Sequence, residues 1–166
     1  MHSRVFQLEY NKDNLENVLC EENFNYDGSC EWFINSIADY VSDETDKEKD
    51  IKWFTDVLND KCNNLFKIKY DNNSKEIEFI TFLKGFKHSY FKEKYEQFKE
   101  MINGLTIEDF ANRFKSYKLS NSLEDKFNIY VYNHEDGLQT LDSFIRGLNN
   151  DEDETYYFGS TIDYHF

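Results

Sequence analysis

The sequence predicts an α+β fold, with one domain over residues 1–166 and a mixed, mainly antiparallel sheet of about five strands and several packed helices. Segments of alternating apolar and polar residues occur at both ends of the chain and as a neighbouring pair in its middle, which favours antiparallel pairing over a doubly wound parallel sheet. Segments with helical spacing separate them. Sixteen Phe and twelve Tyr supply ring surface for a core although only 39% of residues are hydrophobic.

The N-terminal part is predicted to hold one strand followed by helices. Residues 4–10 alternate around Phe6 and Leu8, which is typical of a half-buried strand. Residues 11–30 carry apolar side chains at helical spacing and end in a loop. Residues 30–41 place four apolar side chains on one stripe, which predicts a short amphipathic helix.

A helix over 46–60 is predicted next, because Thr45 and Glu48 have the spacing of a capping box. A β-hairpin follows, and it is the clearest pattern in the chain. Its two strands flank Asp71–Ser74, whose residue types favour a turn. The alternating residues are Phe66, Ile68 and Tyr70 in the first strand, and Ile77, Phe79 and Thr81 in the second.

The C-terminal half is predicted to hold three more helices and two strands. A long helix ends near Gly104, and a second begins after Thr106, a candidate cap. A strand over 127–132 precedes a helix that starts near Asp136. The closing strand, 156–166, places its even-numbered residues on one face.

Charge is the feature that bears most on function. The net charge is −14, and residues 1–46 hold eleven acidic against two basic residues, a net of −9. Residues 133–166 contribute −7, whereas residues 47–132 carry +2. We expect the first and last strands to share a sheet, which would bring the two acidic ends together as one negative face, with the helix over 84–102 on a more neutral one.

Two acidic runs are the candidate partner-binding residues. Each also has a structural interpretation, because carboxylates stabilise a helix N-terminus and solvated loops tolerate them. The functional interpretation is that carboxylates at this density imitate a nucleic-acid backbone and occupy the basic groove of a protein that binds one. The candidates are Asp39, Asp43, Glu44, Asp46, Asp151, Glu152, Asp153 and Glu154.

Enzyme chemistry has a weaker basis. His134 and Asp136 follow a strand, and Asp163 and His165 lie on the closing strand, so together they offer a possible metal or acid–base set. His134 to Gly137 equally fits a turn. The sequence contains no phosphate-binding loop, dinucleotide motif or recognisable nucleophile. The lysine-rich stretch 84–94 is interleaved with glutamates, which favours intrahelical pairs over direct nucleic-acid binding.

Other features narrow the class of protein. Cys20, Cys30 and Cys62 form no C-x-x-C motif, which favours free thiols in a reducing compartment. The sequence has no apolar run of membrane-spanning length and no secretory signal, so we expect a cytoplasmic protein without membrane contact. We also expect no cofactor and no metal.

The motifs Ser3-Arg4-Val5-Phe6-Gln7 and Ser36-Ile37-Ala38-Asp39-Tyr40-Val41 resemble those of small uncharacterised proteins from low-GC bacteria and their mobile elements. The resemblance covers about the first quarter of the chain and implies no activity. In size and charge the protein is also similar to antirestriction proteins that mimic DNA, although it shares no motif with them.

The first hypothesis is therefore a non-enzymatic inhibitor of a nuclease or another nucleic-acid-binding protein. Its setting would be the anti-defence system of a phage or mobile element, of anti-restriction or anti-CRISPR type. The second hypothesis is an immunity protein against a basic toxin. The third is a small metal-dependent enzyme using His134, Asp136, Asp163 and His165. The sequence leaves the partner and the oligomeric state open.

Overall fold

The computed structural model describes residues 1–34, 36–62, 64–70, 77–123 and 126–166. In these residues helices accompany one mixed sheet, which confirms the α+β class. The predicted turn at Asp71–Ser74 lies outside the described residues. The strands are β1 (His2–Glu9), β2 (Tyr40–Ser42), β3 (Phe66–Tyr70), β4 (Ile77–Phe82), β5 (Tyr130–Asn133), β6 (Gly137–Thr140) and β7 (Glu154–His165). The α-helices are α1 (Lys47–Cys62), α2 (Phe86–Asn103), α3 (Ile107–Ala111), α4 (Arg113–Leu123) and α5 (Leu141–Gly147).

In the described residues the sheet has the order β3-β4-β7-β1-β5-β6, and among its named strands β1 and β5 form the one parallel pair. The first and last strands pair along nearly their whole length, as predicted, from His2 opposite His165 to Glu9 opposite Tyr157. Strand β2 pairs with the end of β7, on the edge where β4 pairs with its start. The described part of the chain forms seven strands rather than about five, because β2 and β6 are too short to give an alternation signal.

Each face of the sheet buries its own apolar cluster. On one face, the helical layer contributes α1, α2 and α5 to a cluster that includes Phe6, Leu8, Phe54, Phe82 and Phe158. On the other face, the segment between β1 and α1 covers a smaller cluster. That cluster comprises Val5, Leu19, Phe24, Cys30, Phe33, Ala38, Tyr130, Tyr132, Ile162 and Tyr164.

The N-terminal segment, residues 10–46, contains no α-helix among its described residues, so the helix predicted over 30–41 is wrong, and the helical spacing in 11–30 does not form one either. Three 3-10 helices occur instead, at Lys12–Glu16, Glu21–Phe24 and Glu31–Phe33. Asn and Ser side chains compete for backbone groups and favour such short turns. The Asn11 side chain accepts from the backbone N–H of Asp13, for example, at 3.0 Å.

Two predicted helix starts are displaced. The backbone N–H of Lys49 donates to Asp46 Oδ1 at 3.2 Å, so Asp46 supplies the cap of α1, whereas the Thr45 hydroxyl bonds to Thr161 in β7. The helix predicted from Asp136 begins instead at Leu141, after the short strand β6. Thr140 caps it by accepting from the backbone N–H of Ser143.

The Thr106 cap is confirmed and forms a capping box with Asp109. The helix that it starts ends after five residues, and α4 begins one residue later. Neither α3 nor α4 has a buried residue, and Ile107, Phe110 and Phe114 are 59–73% exposed. Their helical spacing therefore identifies an amphipathic surface and not a core stripe.

The alternation predicted for the closing strand reverses at its middle. Tyr156 and Phe158 face the helical layer, whereas Ile162 and Tyr164 belong to the cluster on the opposite face. The pairing of β1 with β7 shifts register between Phe6 and Leu8. One extra residue in β7 therefore turns the later side chains to the other face.

Gly159 sits at this irregularity, and a Cβ there would lie 2.4 Å from Gln7 Oε1. The buried Gln7 side chain accepts from the backbone N–H of Leu19 and donates to the Asn17 carbonyl, so it has little freedom to move. We expect Gly159→Ala to destabilise the fold by about 1–3 kcal/mol, as overpacking does. Chemical denaturation measures this. Gly147→Ala, which meets no atom within 4 Å, is the control, and equal stabilities of the two variants would contradict the prediction.

The three cysteines are free thiols with unequal surroundings. Burial raises the pKa of Cys62 to about 12 and also raises the pKa of Cys30, whereas Cys20 is only partly buried. Because the thiolate is the reactive form, we expect iodoacetamide at pH 8 to label Cys20 in the native protein and to spare the other two. Peptide mass spectrometry reads this out, and native labelling of Cys62 as fast as Cys20 would contradict it.

Candidate partner-binding surface

The N-terminal segment is strongly acidic. It contains ten acidic residues and Lys12 as its single basic residue. Nine of the ten carboxylate side chains are exposed, and Glu21 is partly buried. The charged side chains that this segment exposes are therefore almost all acidic.

Aromatic packing holds this irregular segment on the sheet. Phe33 is fully buried, and its ring centroid lies 4.8 Å from Tyr130 and 5.0 Å from Tyr164. Phe24 packs against Phe33 with its ring centroid 5.7 Å away. The buried rings fix the backbone, so the intervening acidic residues project outward.

A groove of about 620 Å³ opens in this surface beside β2. Three carboxylates line it, from Glu21, Glu31 and Asp39. Three aromatic residues also line it and remain exposed: Tyr26 at 85%, Trp32 at 49% and Tyr40 at 47%. The groove therefore combines negative charge with uncovered aromatic surface.

The end of β7 holds one wall of the groove in place. The Tyr40 ring stacks on His165 at 5.2 Å with an interplanar angle of 6°. Asp39 Oδ2 lies 3.3 Å from His165 Nδ1, and the Asp39 backbone N–H donates to the His165 carbonyl at 2.8 Å. These contacts order the Asp39–Tyr40 wall without a bound partner.

The first predicted run, Asp39 to Asp46, adjoins this groove. Asp46 has a structural role, since it caps α1, and the hydrogen bond from the Lys49 side chain lowers the pKa of its carboxyl. Asp43 and Glu44 are exposed, and no hydrogen bond or ion pair joins their carboxylates to another described residue. These two carboxylates are therefore available to a partner.

The second predicted run, Asp151 to Glu154, lies elsewhere. Asp153 accepts from the Lys84 backbone N–H at 2.8 Å, and Glu154 accepts from the Asn149 backbone N–H at 2.6 Å, so both hold the loop before β7. Asp151 and Glu152 are exposed.

The prediction that the two acidic runs meet is wrong. The first run adjoins the end of β7 and the second precedes its start. A strand rises about 3.3 Å per residue, so Glu154 and Asp163 are about 30 Å apart. The strands do pair as predicted, but the runs flank opposite ends of them. The negative surface is that of the N-terminal segment.

The four residues of the enzyme hypothesis are also separated. His134 Nδ1 lies 2.8 Å from Glu9 Oε1, at the end of β1, whereas His165 pairs with His2 at its start. Seven strand steps, about 23 Å, divide these positions. No single site can use all four residues.

Glu9 is a buried charged residue in contact with His134, and the sequence did not identify it as part of this group. Its carboxylate accepts from Gln7 Nε2 and from the His134 backbone N–H, in addition to its contact with the His134 ring. These bonds join the ends of two parallel strands, which is a structural task. The sequence feature that could have identified Glu9 is its position as a carboxylate at the end of the apolar strand β1.

Within the described ranges, no three His, Cys, Asp or Glu side chains converge in a way that would hold a metal ion. None of the helices in the described part of the chain is long and apolar enough to cross a bilayer.

Two lysines of α2 make contacts within the protein. Lys94 pairs with buried Asp142, and Lys87 donates to the Leu148 carbonyl.

Comparison with known proteins gives no relative: no family model, curated protein or solved structure matches this chain.

The groove itself was missed by sequence reasoning. Glu21, Glu31, Tyr26 and Trp32 were not identified as groove residues, because the sequence predicts a loop up to residue 30 and a helix over 30–41. The available signal was the alternation of aromatic and acidic residues between positions 21 and 40.

Proposed function

We propose that this protein is a non-enzymatic inhibitor that presents an acidic surface to a basic partner of the nucleic-acid-binding or nuclease class. One observation carries the proposal: the N-terminal segment holds ten carboxylates against a single lysine, and its buried aromatic residues Phe24 and Phe33 hold part of it on one face of the sheet. The setting that fits such a protein is the anti-defence system of a phage or mobile element.

The physical argument is charge complementarity. Proteins that bind nucleic acids present basic surfaces to a dense array of phosphates, and a fixed array of carboxylates offers a comparable field. Opposite potentials raise association rates by about 10- to 1,000-fold and disfavour partners of the same sign. A surface whose carboxylates are ordered before binding keeps more of this energy, since less conformational entropy is lost.

The test compares two variants of equal charge change. Asp43→Asn with Glu44→Gln alters the first run, and Asp151→Asn with Glu152→Gln alters the second. Wild type and both variants are immobilised and exposed to a lysate of the source cell, and the captured protein is then purified. We expect the captured protein to associate with the first variant about tenfold more slowly than with wild type. Its association rate with the second variant should stay within about twofold of the wild-type rate.

Two further results are required of the partner. Its association rate should fall steeply as salt rises, because the Debye length shrinks from about 8 Å at 0.15 M to about 3 Å at 1 M. A DNA or RNA duplex should also displace the inhibitor. A partner that neither duplex displaces, or that binds the first variant as fast as wild type, would show that the acidic surface does not imitate nucleic acid.

A further inference from the structure

We infer that the groove beside β2 is a docking site for an arginine side chain of the basic partner. The inference rests on the proposed function and specifies its chemistry: the guanidinium group lies against the aromatic residues of the groove while the surrounding carboxylates accept its N–H groups. The observation that carries it is the placement of three exposed aromatic residues and three carboxylates around one cavity.

The aromatic residues point to a cation with a flat face. Exposing an aromatic side chain to water is unfavourable in free energy. Here Tyr26, Trp32 and Tyr40 line the same groove of about 620 Å³. A cation over a Trp or Tyr ring is attracted by the electrons of the ring, and arginine makes such contacts more often than lysine. The planar guanidinium also stacks on aromatic rings, which an ammonium group cannot do.

The carboxylates select charge and direction. Glu21, Glu31 and Asp39 line the groove and come from three separate segments of the chain. Arginine has five N–H donors in a fixed fork and can bond to carboxylates on more than one side at once. Lysine concentrates its donors on one atom and would reach fewer of them.

The walls are ordered in advance. Tyr40 stacks on His165 and also makes an edge contact with His2 at 6.3 Å, while Trp32 meets buried Phe33 edge-on at 5.8 Å. Both Tyr40 and Trp32 line the cavity. Trp32 also borders a second groove of about 590 Å³, formed with Tyr117, Phe127 and Leu138, so a partner segment can continue past it.

The experiment uses three peptides and one fluorescent reporter. Trp32 and Trp53 are the only tryptophans, so Trp53→Phe leaves Trp32 as the sole reporter and keeps an aromatic ring beside Phe6. A capped hexapeptide of alternating glycine and arginine is titrated, next to versions with lysine and with neutral citrulline. We expect the arginine peptide to shift Trp32 emission, the lysine peptide to bind at least about threefold more weakly, and the citrulline peptide to leave emission unchanged.

Matched variants locate the site. Glu31→Gln and Tyr40→Leu should each weaken the arginine peptide at least about fivefold. Glu22→Gln, an exposed neighbour that does not line the groove, should change its affinity by less than about twofold. Equal binding of arginine and lysine peptides, or equal losses from Glu31→Gln and Glu22→Gln, would overturn the arginine site.

The two proposals fail separately. If the purified partner binds in a salt-dependent way and Glu31→Gln does not weaken it, the acidic surface stands and the arginine site is wrong. If the arginine peptide binds as described but no duplex displaces the partner, the groove stands and the imitation of nucleic acid is wrong.

Discussion

Replacing Phe33 by alanine is expected to destabilise the protein by about 3–5 kcal/mol, the usual cost of removing a buried phenylalanine. Phe33 is fully buried and contacts the rings of Phe24, Tyr130 and Tyr164. It lies beside Trp32 and Ile34, which line the groove. The same substitution is therefore expected to weaken partner binding.

A second core variant separates stability from site geometry. Phe54 is also fully buried, but it belongs to the cluster under the helical layer. Phe54→Ala should cost a similar amount in urea denaturation and leave the N-terminal segment protected in hydrogen exchange. Phe33→Ala should lose protection over residues 11–38 well before global unfolding. Uniform loss of protection in both variants would contradict this prediction.

The sequence predicted those elements whose pattern is long and local. The strands β1, β3, β4 and β7 appear where alternation was found, and α1 buries Ile51, Phe54 and Leu58 as its spacing indicated. The reversal of faces in β7 was not predictable in this way, because the bulge depends on Gln7 filling the space beside Gly159. A contact between residues 152 positions apart leaves no trace in local periodicity.

In the N-terminal segment the sequence pattern was local but did not decide the structure. Its apolar residues have helical spacing, yet they are too few to stabilise a helix against Asn and Ser side chains that bond to the backbone. The sheet instead recruits the ends of the segment, since the Asp39 backbone N–H bonds to His165 and Tyr40 begins β2. Local propensity favoured neither a helix nor irregular structure strongly, and pairing with the sheet therefore determined the conformation of this segment.

The candidate site was predictable in its charge but not in its location. The count of carboxylates in residues 1–46 indicated an acidic surface, and ten of the eleven lie in the N-terminal segment, whereas Glu9 is buried in β1. From the pairing of β1 with β7, the sequence predicts that the two acidic runs lie close together. Antiparallel pairing separates them, because the run after β1 leads to the end of β7 whereas the other precedes its start. Strand direction, which the sequence does not state, fixes this outcome.

An ion network at the end of the sheet supports the first acidic run and gives the second large expected effect. Asp50, in the first turn of α1, is 6% exposed and accepts from Arg4 Nε at 2.8 Å and from the Thr161 hydroxyl at 3.2 Å. Arg4 also pairs with Asp163 in β7. The network therefore fixes the start of α1, and with it the turn that carries Asp43 and Glu44, against the two central strands.

We expect Asp50→Ala to destabilise the fold by about 2–3 kcal/mol, because Arg4 and the Thr161 hydroxyl lose a charged hydrogen-bond partner in a largely buried site, while Asp163 still compensates the Arg4 charge. The double variant Arg4→Met with Asp50→Leu should recover part of that loss, since an apolar pair replaces the Arg4–Asp50 pair, while Asp163 loses Arg4 and keeps its contact with His2. Urea denaturation of the single and double variants compares their stabilities. Asp46→Asn, at the exposed cap of the same helix, should cost clearly less than Asp50→Ala. If Asp50→Ala and Asp46→Asn cost the same, or if the double variant is less stable than Asp50→Ala, the buried pair does not anchor α1 as the contacts indicate.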